Sequence, residues 1–349
     1  MNYIEISQFN NVRSEYKVSG DDLYFVSIAN NKQLQKLNLS SLEITPELLE
    51  GVDAFRIVDD LILAGQNDCK IMSVYEFKNS RVIQKVENVH VLLSVFIDKC
   101  KVLYQNNVEK ALYIKDTCLS SDVFVMPGRL DYFSTLSEDI LISSSPAPYR
   151  RSIIAYNINS RALAWEFNLQ EIGKYYSTID KEWVVGYAIN VTIANDRVYV
   201  LTYPRLICLD IKTGSLIWQV DVKPDTISKF IYLEATKEIL LFDSHQFHFI
   251  NAISGAVVRS SMSIYEIVKE MGMTTFNSTS PVLDEKYIYI TLCYSHTMLI
   301  FDKYTFEMVH VINMNTCKDA ISPSDTPVIY GNKVLQRSSD GVMHVYADI

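Results

Sequence analysis

The sequence of 349 residues lacks long apolar runs and clustered cysteines. No hydrophobic stretch approaches the roughly 18 residues that a membrane-spanning helix needs. The N-terminus lacks the basic, apolar and small-residue regions of a signal peptide. The six cysteines are scattered without a Cys-x-x-Cys pair, which is typical of buried free thiols in a reducing compartment. These absences predict a cytoplasmic protein that does not bind a membrane.

Basic residues are fewer than acidic ones. The chain has 32 Lys and Arg against 41 Asp and Glu, so its net charge is −9, and its longest basic run is the pair Arg150 and Arg151. A chain of this charge repels the phosphate backbone unless it carries a local basic patch. We therefore expect no nucleic-acid partner. The acidic surface either keeps the protein soluble or attracts a basic partner, and the sequence leaves both open.

The motifs of common enzyme reactions are also missing. The sequence contains no nucleophile elbow, P-loop or dinucleotide-binding fingerprint. His245 and His248 are three residues apart, and in a strand this spacing places them on opposite faces, where they cannot ligate one ion together. We therefore predict no catalytic residue and no metal site, and we expect a protein that is not an enzyme.

A pattern of strand, tight turn and strand repeats along the chain. In its clearest copy, LICLDIKTGSLIW at 206–218, Asp210 precedes Trp218 by eight residues. The same spacing separates Asn157 from Trp165 in IIAYNINSRALAW. Further copies are FHFINAISGAVVR (247–259), MLIFDKYTFEMVH (298–310) and fainter segments at 34–44, 71–83, 111–123 and 341–349.

A polar turn followed by alternating apolar residues precedes each copy, as in NDRVYVLT at 195–202, and it occurs eight times. The intervals are mostly about forty residues, which is the period of a four-stranded propeller blade. The many Tyr and Phe residues, 22 and 15, favour strands. The sequence therefore predicts an all-β fold, a single β-propeller domain over 1–349. We expect four-stranded antiparallel blades, eight in number, with seven as the alternative.

The last repeat is one strand short, because TPVIYG, NKVLQ and GVMHVYADI at the C-terminus make only three strand segments. The segment NYIEIS at 2–7 alternates as a strand does. We expect this N-terminal strand to pair as the fourth strand of the last blade and to close the propeller. Such pairing would remove an open sheet edge, which is an aggregation hazard.

The turn of the clearest repeat has a physical explanation. The Asp210 carboxylate can accept hydrogen bonds from the backbone two residues further on, and Gly214 supplies a positive φ that a β-carbon would oppose. Trp218 lies on the outer strand and is expected to pack between neighbouring blades.

The pattern apolar–x–Asp–x–x–Thr–Gly–x–x–x–Trp resembles the PQQ-like propeller repeat of quinoprotein alcohol dehydrogenases and of an outer-membrane assembly lipoprotein. It is well kept at 206–218 and partly kept at 153–165 and 247–259. The resemblance implies the propeller fold. Family enzymes stack their quinone between a Trp and a disulfide of adjacent cysteines. Because this chain has no adjacent cysteines, we expect no cofactor.

Long insertions are expected on one side of the propeller, the top face, while turns such as IKTGS on the opposite face are short. The insertions lie at about 169–188 and 263–280, and Ser263 and Glu266 make the pattern of a capping box. Loops on a rigid scaffold are where binding usually resides; alternatively, these loops only cap the channel and bury Trp183. The residues predicted to bind a partner are Tyr149, Tyr175, Tyr176, Asp180, Glu182, Trp183, Glu266 and Glu270.

These observations predict a non-catalytic, protein-binding propeller that is a monomer when free. Acidic, degenerate PQQ-like propellers without export signals resemble bacterial immunity proteins, which neutralise secreted toxins. The resemblance implies a cationic toxin domain as the partner. Two alternatives stay open: a scaffold subunit of a larger assembly, and a propeller enzyme that acts on a glycan or small molecule.

Overall fold

The computed structural model describes residues 3–348 except 30, 47–48, 59–60, 67, 69, 77–80, 90–93, 99–100, 110, 117–120, 128–134, 138, 145–150, 178–180, 223–228, 244–245, 273–276 and 315–318. The predictions for Tyr149, Asp180 and His245 lie outside the described residues. Within those ranges, no helix has the length and apolar character to span a bilayer.

Strands dominate the described residues, where they form eight antiparallel sheets of four strands and one of two. In seven of the larger sheets the four strands follow one another along the chain. The strands of these seven are β2 (Val12–Ser19), β3 (Asp22–Ser27), β4 (Leu34–Asn38) and β5 (Ile44–Pro46); β6 (Val52–Val58), β7 (Leu61–Gln66), β8 (Ile71–Glu76) and β9 (Arg81–Glu87); β10 (Val95–Asp98), β11 (Lys101–Asn106), β12 (Ala111–Asp116) and β13 (Ser121–Pro127); β14 (Thr135–Ser137), β15 (Ile140–Ser144), β16 (Ser152–Asn157) and β17 (Ala162–Asn168); β20 (Ala188–Ala194), β21 (Arg197–Thr202), β22 (Arg205–Asp210) and β23 (Leu216–Asp221); β24 (Lys229–Leu233), β25 (Glu238–Phe242), β26 (Phe247–Asn251) and β27 (Val257–Ser260); and β28 (Val282–Leu283), β29 (Tyr287–Leu292), β30 (Thr297–Asp302) and β31 (Met308–Asn313).

The eighth sheet combines both ends of the chain: β1 (Tyr3–Phe9) pairs with β34 (Met343–Asp348), which is followed by β33 (Lys333–Arg337) and β32 (Val328–Tyr330). β1 is antiparallel to β34, with Tyr3 opposite Asp348 and Phe9 opposite Met343. The prediction that the N-terminal strand completes the last blade is confirmed.

Four-stranded antiparallel sheets that recur along a chain are the blades of a β-propeller. The predicted all-β propeller is therefore confirmed. The described residues contain eight such sheets, which is the first of the two predicted blade numbers.

The chain divides into two compact units. Unit 1 comprises Met1–Asp53, Ser244–Gln246 and Ser261–Ile349, and unit 2 comprises Ala54–Asp243 and Phe247–Ser260. Unit 1 holds the β2–β5 and β28–β31 blades and the blade that combines both ends of the chain. Unit 2 holds the blades from β6 to β27, apart from the first two residues of β6. That the whole chain is one domain stays a prediction.

The burial of each strand follows its place in the blade. The second strand of a blade is buried almost continuously, as in β3 and β21, because side chains on both of its faces are covered. The outer strands β1 and β17 instead alternate between covered and exposed residues over much of their length. This difference explains why segments such as NDRVYVLT, which contains β21, are apolar over most of the strand.

Unit 2 shows why the best-kept repeats carry Trp and Gly. The Trp165 indole N–H donates to the Ile211 carbonyl at 2.8 Å, across to the next blade. A β-carbon added to Gly214 would lie 2.6 Å from the Trp165 ring. Trp218 repeats the arrangement one blade further on, where its N–H donates to the Ala252 carbonyl at 3.0 Å. The predicted packing of Trp218 between blades is confirmed.

The turn chemistry predicted for Asp210 is also confirmed. Its Oδ1 accepts the Lys212 N–H at 3.0 Å and the Thr213 N–H at 2.8 Å. Gly214 has φ +70°, in the left-handed region that a β-carbon opposes. The turn therefore follows from local sequence, whereas its tryptophan contact comes from the neighbouring blade.

The insertion at 263–280 begins with the short helix α1 (Ile264–Glu270), which belongs to unit 1. Ser263 is the N-cap residue, but its side chain makes no capping hydrogen bond. The predicted capping box is therefore wrong. The backbone closes the first turn instead, since the Glu266 N–H donates to the Ser263 carbonyl at 3.1 Å, and buried Ile264 and Val268 hold the helix on the unit.

Candidate functional site

The insertion at 169–188 folds as a 3-10 turn followed by a hairpin in unit 2. In the turn, Leu169–Ile172, the Asn168 side chain accepts the Gln170 N–H at 2.9 Å, and both Leu169 and Ile172 are buried. The hairpin pairs β18 (Lys174–Ser177) with β19 (Glu182–Val185). This two-stranded sheet stands apart from the four-stranded blades, and we call it the aromatic hairpin.

Two large aromatic side chains lie opposite each other on the exposed side of the aromatic hairpin. Tyr176 is the cross-strand partner of Trp183, and their rings meet edge to face with centroids 5.9 Å apart. Tyr176 is 46% exposed and Trp183 is 66% exposed. The alternative in which Trp183 is buried is therefore wrong. Edge-to-face contact is a favoured aromatic geometry, so the pair supports its own orientation while both rings stay accessible.

The other side of the hairpin anchors it. Tyr175 is only 7% exposed, and its ring lies 5.8 Å from that of Tyr203. Tyr203 also meets Tyr187 at 5.9 Å. The assignment of Tyr175 to a partner surface is corrected by its burial. Adjacent strand residues point to opposite faces, so Tyr175 packs inward while its neighbour Tyr176 is exposed.

Sequence reasoning missed the anchoring role of Tyr203, Tyr187 and Gly186. A β-carbon at Gly186 would lie 1.7 Å from the Tyr203 carbonyl oxygen, so only glycine permits this close approach. The glycine directly before an aromatic residue in VVGYA was the available signal. Its meaning depends on a residue seventeen positions away, which no local pattern reveals.

The predicted acidic residues occupy two separate elements. Glu182 is exposed at the start of β19, and the exposed residues Lys174 and Lys181 give the hairpin a mixed charge. Glu266 and Glu270 are both exposed on α1. The hairpin thus offers aromatic surface, and α1 offers carboxylates.

Net charge is distributed very unequally between the two units. Unit 1 contains 10 Lys and Arg against 18 Asp and Glu, a formal charge of −8. Unit 2 contains 22 against 23, a formal charge of −1. Nearly all of the acidic surplus of the chain therefore belongs to unit 1, although the aromatic hairpin belongs to unit 2.

The described residues contain no group of three or more His, Cys, Asp and Glu that could hold a metal ion. Cys208 and Cys293 are both buried. Burial raises the pKa of the Cys208 thiol to about 11, so this thiol is protonated near neutral pH and is a poor metal ligand or nucleophile.

A family profile described as "Outer membrane protein assembly factor BamB" matches residues 150–258. This segment contains both turns whose glycine, Gly214 or Gly255, faces a tryptophan ring. Comparison with curated protein sequences gave no match.

Solved structures similar to this chain share little sequence identity with it. The computationally designed Ika8 protein is 9% identical with a TM-score of 0.69, and the alignment covers 99% of this chain and 98% of that one. Sqt1 of Saccharomyces cerevisiae is 11% identical with a TM-score of 0.67 and full coverage of both chains. BamB of Moraxella catarrhalis is 14% identical with a TM-score of 0.61, covering 99% of this chain and 100% of that one.

The fold is a β-propeller. The profile match supports the PQQ-like repeat in the central part of the chain, and the structural likenesses extend the propeller over its whole length. At identities of 9–14% these likenesses show the fold alone, because a propeller scaffold hosts many unrelated functions.

Proposed function

We propose that this protein is a protein-binding propeller whose partner docks on the aromatic hairpin. The observation that carries the proposal is the exposed pair Tyr176 and Trp183, held edge to face on a hairpin that Tyr175 anchors. Tyr and Trp are the side chains most enriched among residues that dominate binding energy at protein interfaces. Both bury a large area at a small cost in side-chain entropy.

The hairpin suits docking because one of its faces packs against the rest of unit 2 and the other face is exposed to solvent. Tyr175 supplies the contact with Tyr203, while the exposed rings contact each other. The family that matches residues 150–258 is that of an outer membrane protein assembly factor, which agrees with a role in which a propeller works by contacting other proteins.

We further propose that this protein is a bacterial immunity protein whose partner is a cationic toxin domain. In this role the protein is cytoplasmic, and it is a monomer when free. The charge of −8 on unit 1 supports a basic partner, because complementary charge accelerates encounter and suppresses wrong partners. Binding and sequestration need no catalysis. One of the two alternatives, a scaffold subunit, predicts that the partner is a permanent component of a larger assembly; the other, a propeller enzyme that acts on a glycan or small molecule, predicts a turnover that needs no protein partner.

The central experiment compares variants of the full chain as baits in host lysate, with captured proteins identified by mass spectrometry and then measured by surface plasmon resonance. We expect Trp183→Ala and Tyr176→Ala to weaken binding by about tenfold or more, since interface anchors cost about 2 kcal/mol when truncated. Tyr304→Ala is the matched control, because Tyr304 is an equally exposed aromatic, at 63%, on a repeat turn. Lys212→Glu on another repeat turn is a second control.

A partner lost equally from the Trp183 and Tyr304 variants would contradict the hairpin as the docking site. Retained binding in Trp183→Ala with unchanged thermal stability would contradict it as well. A captured partner found alone and encoded beside this chain supports the immunity role. A partner that always arrives with several other subunits supports the scaffold role instead.

A second measurement tests the charge of the partner. Lys substitutions at Glu182, Glu266 and Glu270 should slow association with a basic partner and flatten its salt dependence, because exposed charges act mainly on the association rate. Surface plasmon resonance at two salt concentrations separates this effect from dissociation. Faster association by the Lys variants would show that the partner is acidic.

A further inference from the structure

In unit 2, the side chains of a serine, a histidine and an aspartate are joined by two hydrogen bonds, with the histidine in the middle. Ser260 ends β27 and lies directly across from His248 on β26. The Ser260 Oγ is 2.7 Å from the His248 Nδ1. On the other side of the ring, Nε2 is 3.4 Å from Oδ2 of Asp243, the residue that follows β25. Three successive strands of one blade thus place these side chains in a row.

The two ring nitrogens have different partners, and these assign the proton. Asp243 can only accept while ionised, so the proton of the neutral ring belongs on Nε2, where it points at the carboxylate. Nδ1 then has a free lone pair that accepts the Ser260 hydroxyl proton. A hydroxyl bonded to a base, which a third group orients, is the general arrangement of an activated nucleophile.

A second serine–histidine–carboxylate set in unit 1 shows what a structural version looks like. His344 contacts Ser338 at 3.2 Å through Nε2 and Glu5 at 2.7 Å through Nδ1. However, Ser338 is fully buried and its hydroxyl donates to the Asp340 carboxylate at 2.5 Å. That hydroxyl is inaccessible to a substrate, and because it donates its proton to a carboxylate it cannot donate the same proton to His344.

Ser260 differs on both counts. It is exposed at the end of an outer strand, and His248 is the hydrogen-bond partner of its hydroxyl among the described residues. Asp243 is 5% exposed, so its charge acts on the ring with little screening by water. The accessible oxygen, the oriented base and the buried carboxylate occur together only in this set of the two.

We propose that Ser260 is a nucleophile that takes the acyl group of small carboxylic esters. The Ser260 Oγ attacks the carbonyl carbon and forms a new carbon–oxygen bond, while its proton moves to His248 Nδ1. The bond to the alcohol breaks, and the departing alkoxide takes that proton from His248. Water, deprotonated by His248, then attacks the acyl-serine, which releases the carboxylic acid and restores the serine.

Asp243 is a positioning residue in this scheme, because it holds the tautomer and stabilises the imidazolium that forms. This scheme gives the chain a catalytic residue, whereas the sequence predicted none. It does not rest on the aromatic hairpin or on any protein partner.

The test uses p-nitrophenyl acetate with the full chain. We expect release of nitrophenolate and one acetyl group on Ser260, located by peptide mapping after acid quench. Ser260→Ala should remove that acetyl group. His248→Gln should slow acylation by about 100-fold or more, the typical contribution of a general base. His344→Gln is the matched control and should leave acylation at Ser260 unchanged.

Asp243→Asn should slow acylation, and Asp243→Glu should restore part of the rate, whereas a merely structural carboxylate would change stability without changing the acylation rate per folded molecule. Circular dichroism confirms that each variant is folded. An unacetylated Ser260 in the unaltered protein would overturn the proposal. Equal acylation of Ser260 in the His248→Gln protein would overturn it too, since the serine would then be no more than an exposed hydroxyl.

Discussion

Two groups of repeat turns in this molecule share one backbone design and differ in one residue. The turns at Asp210 and Asn251 in unit 2 carry Gly214 and Gly255, with φ +70° and +74°. The corresponding residues in three other turns are Leu42, Arg161 and Phe306, with φ +62°, +56° and +61°. All five therefore adopt the left-handed conformation, although only two of them use glycine.

The difference lies in what the neighbouring blade places against the turn. Gly214 and Gly255 face the rings of Trp165 and Trp218, with no room for a β-carbon. The chain has only three Trp, and the third is Trp183 on the aromatic hairpin, so the other turns meet no such ring. The turn itself needs only an Asp or Asn at its start and a residue in the left-handed conformation four positions later. Glycine is needed at that later position only where a tryptophan ring leaves no room for a β-carbon.

The largest effect should come from removing the tryptophan. Trp165→Ala and Trp218→Ala should each destabilise the protein by about 3–5 kcal/mol, the usual cost of truncating a buried Trp. Arg259 holds the equivalent place in the next repeat, stacked 3.8 Å from the Phe249 ring centre. Arg259→Ala should cost only about 1 kcal/mol. Urea denaturation followed by circular dichroism makes the comparison, and equal losses would refute it.

Adding a β-carbon to the glycine should give the next largest effect. Gly214→Ala should cost about 2–4 kcal/mol, because it adds left-handed strain to a contact of 2.6 Å with the Trp165 ring. The reverse changes Arg161→Gly and Phe306→Gly should stay within about 1 kcal/mol of the original protein.

A double variant sharpens this result. In a Trp165→Leu background the same Gly214→Ala change should cost clearly less, since the ring that opposes the β-carbon is gone. Additive losses in the double variant would mean that the backbone, and not the tryptophan, demands glycine at this turn.

Removing the side chain that begins the turn should have a smaller effect. Asp210→Ala loses the acceptor of the Lys212 and Thr213 N–H groups, a loss of about 1 kcal/mol at this partly exposed site. Asp210→Asn should be nearly neutral, because Asn251 makes the same two bonds, at 3.0 and 2.9 Å. An Asn variant as unstable as the Ala variant would show that the charge, rather than the acceptor, stabilises the turn.

The smallest effect should be a dependence on pH. The backbone N–H of Thr213 is the main cause that holds the pKa of Asp210 below its usual range. A carboxyl whose pKa is lower in the folded state stabilises the fold above its unfolded pKa, and the stabilisation disappears as pH falls through the folded pKa. The original protein should therefore lose its small advantage over Asp210→Asn below about pH 4. Urea midpoints at several pH values measure this, and a constant difference would contradict it.

The fold was predictable because its signals are local. The Asx turn at Asp210, the alternating strands and the period of the repeat all depend on neighbours within a few residues. The pairing of β1 was predictable for a different reason, since a blade with three strands needs a fourth. The capping box at Ser263 failed because two suitable residues at the right spacing do not specify where a hydroxyl points.

The candidate sites were less predictable because they depend on pairing between strands. The insertion at 169–188 was recognisable by its length and composition, but Tyr175 and Tyr176 were assigned to the same surface although strand alternation separates them. The pairing of Ser260 with His248 depends on strand register, and the sequence pattern suggested only that His245 and His248 point to opposite faces.

By itself, the sequence determined the class of fold, the repeating turns and the strand that joins both ends of the chain, because hydrogen bonds and hydrophobic alternation act over short distances. The tertiary structure alone decided which turns need glycine, which tyrosine anchors the aromatic hairpin, and which serine meets a histidine. Each of these depends on residues from different strands or blades, and their approach is set by packing that no local segment contains.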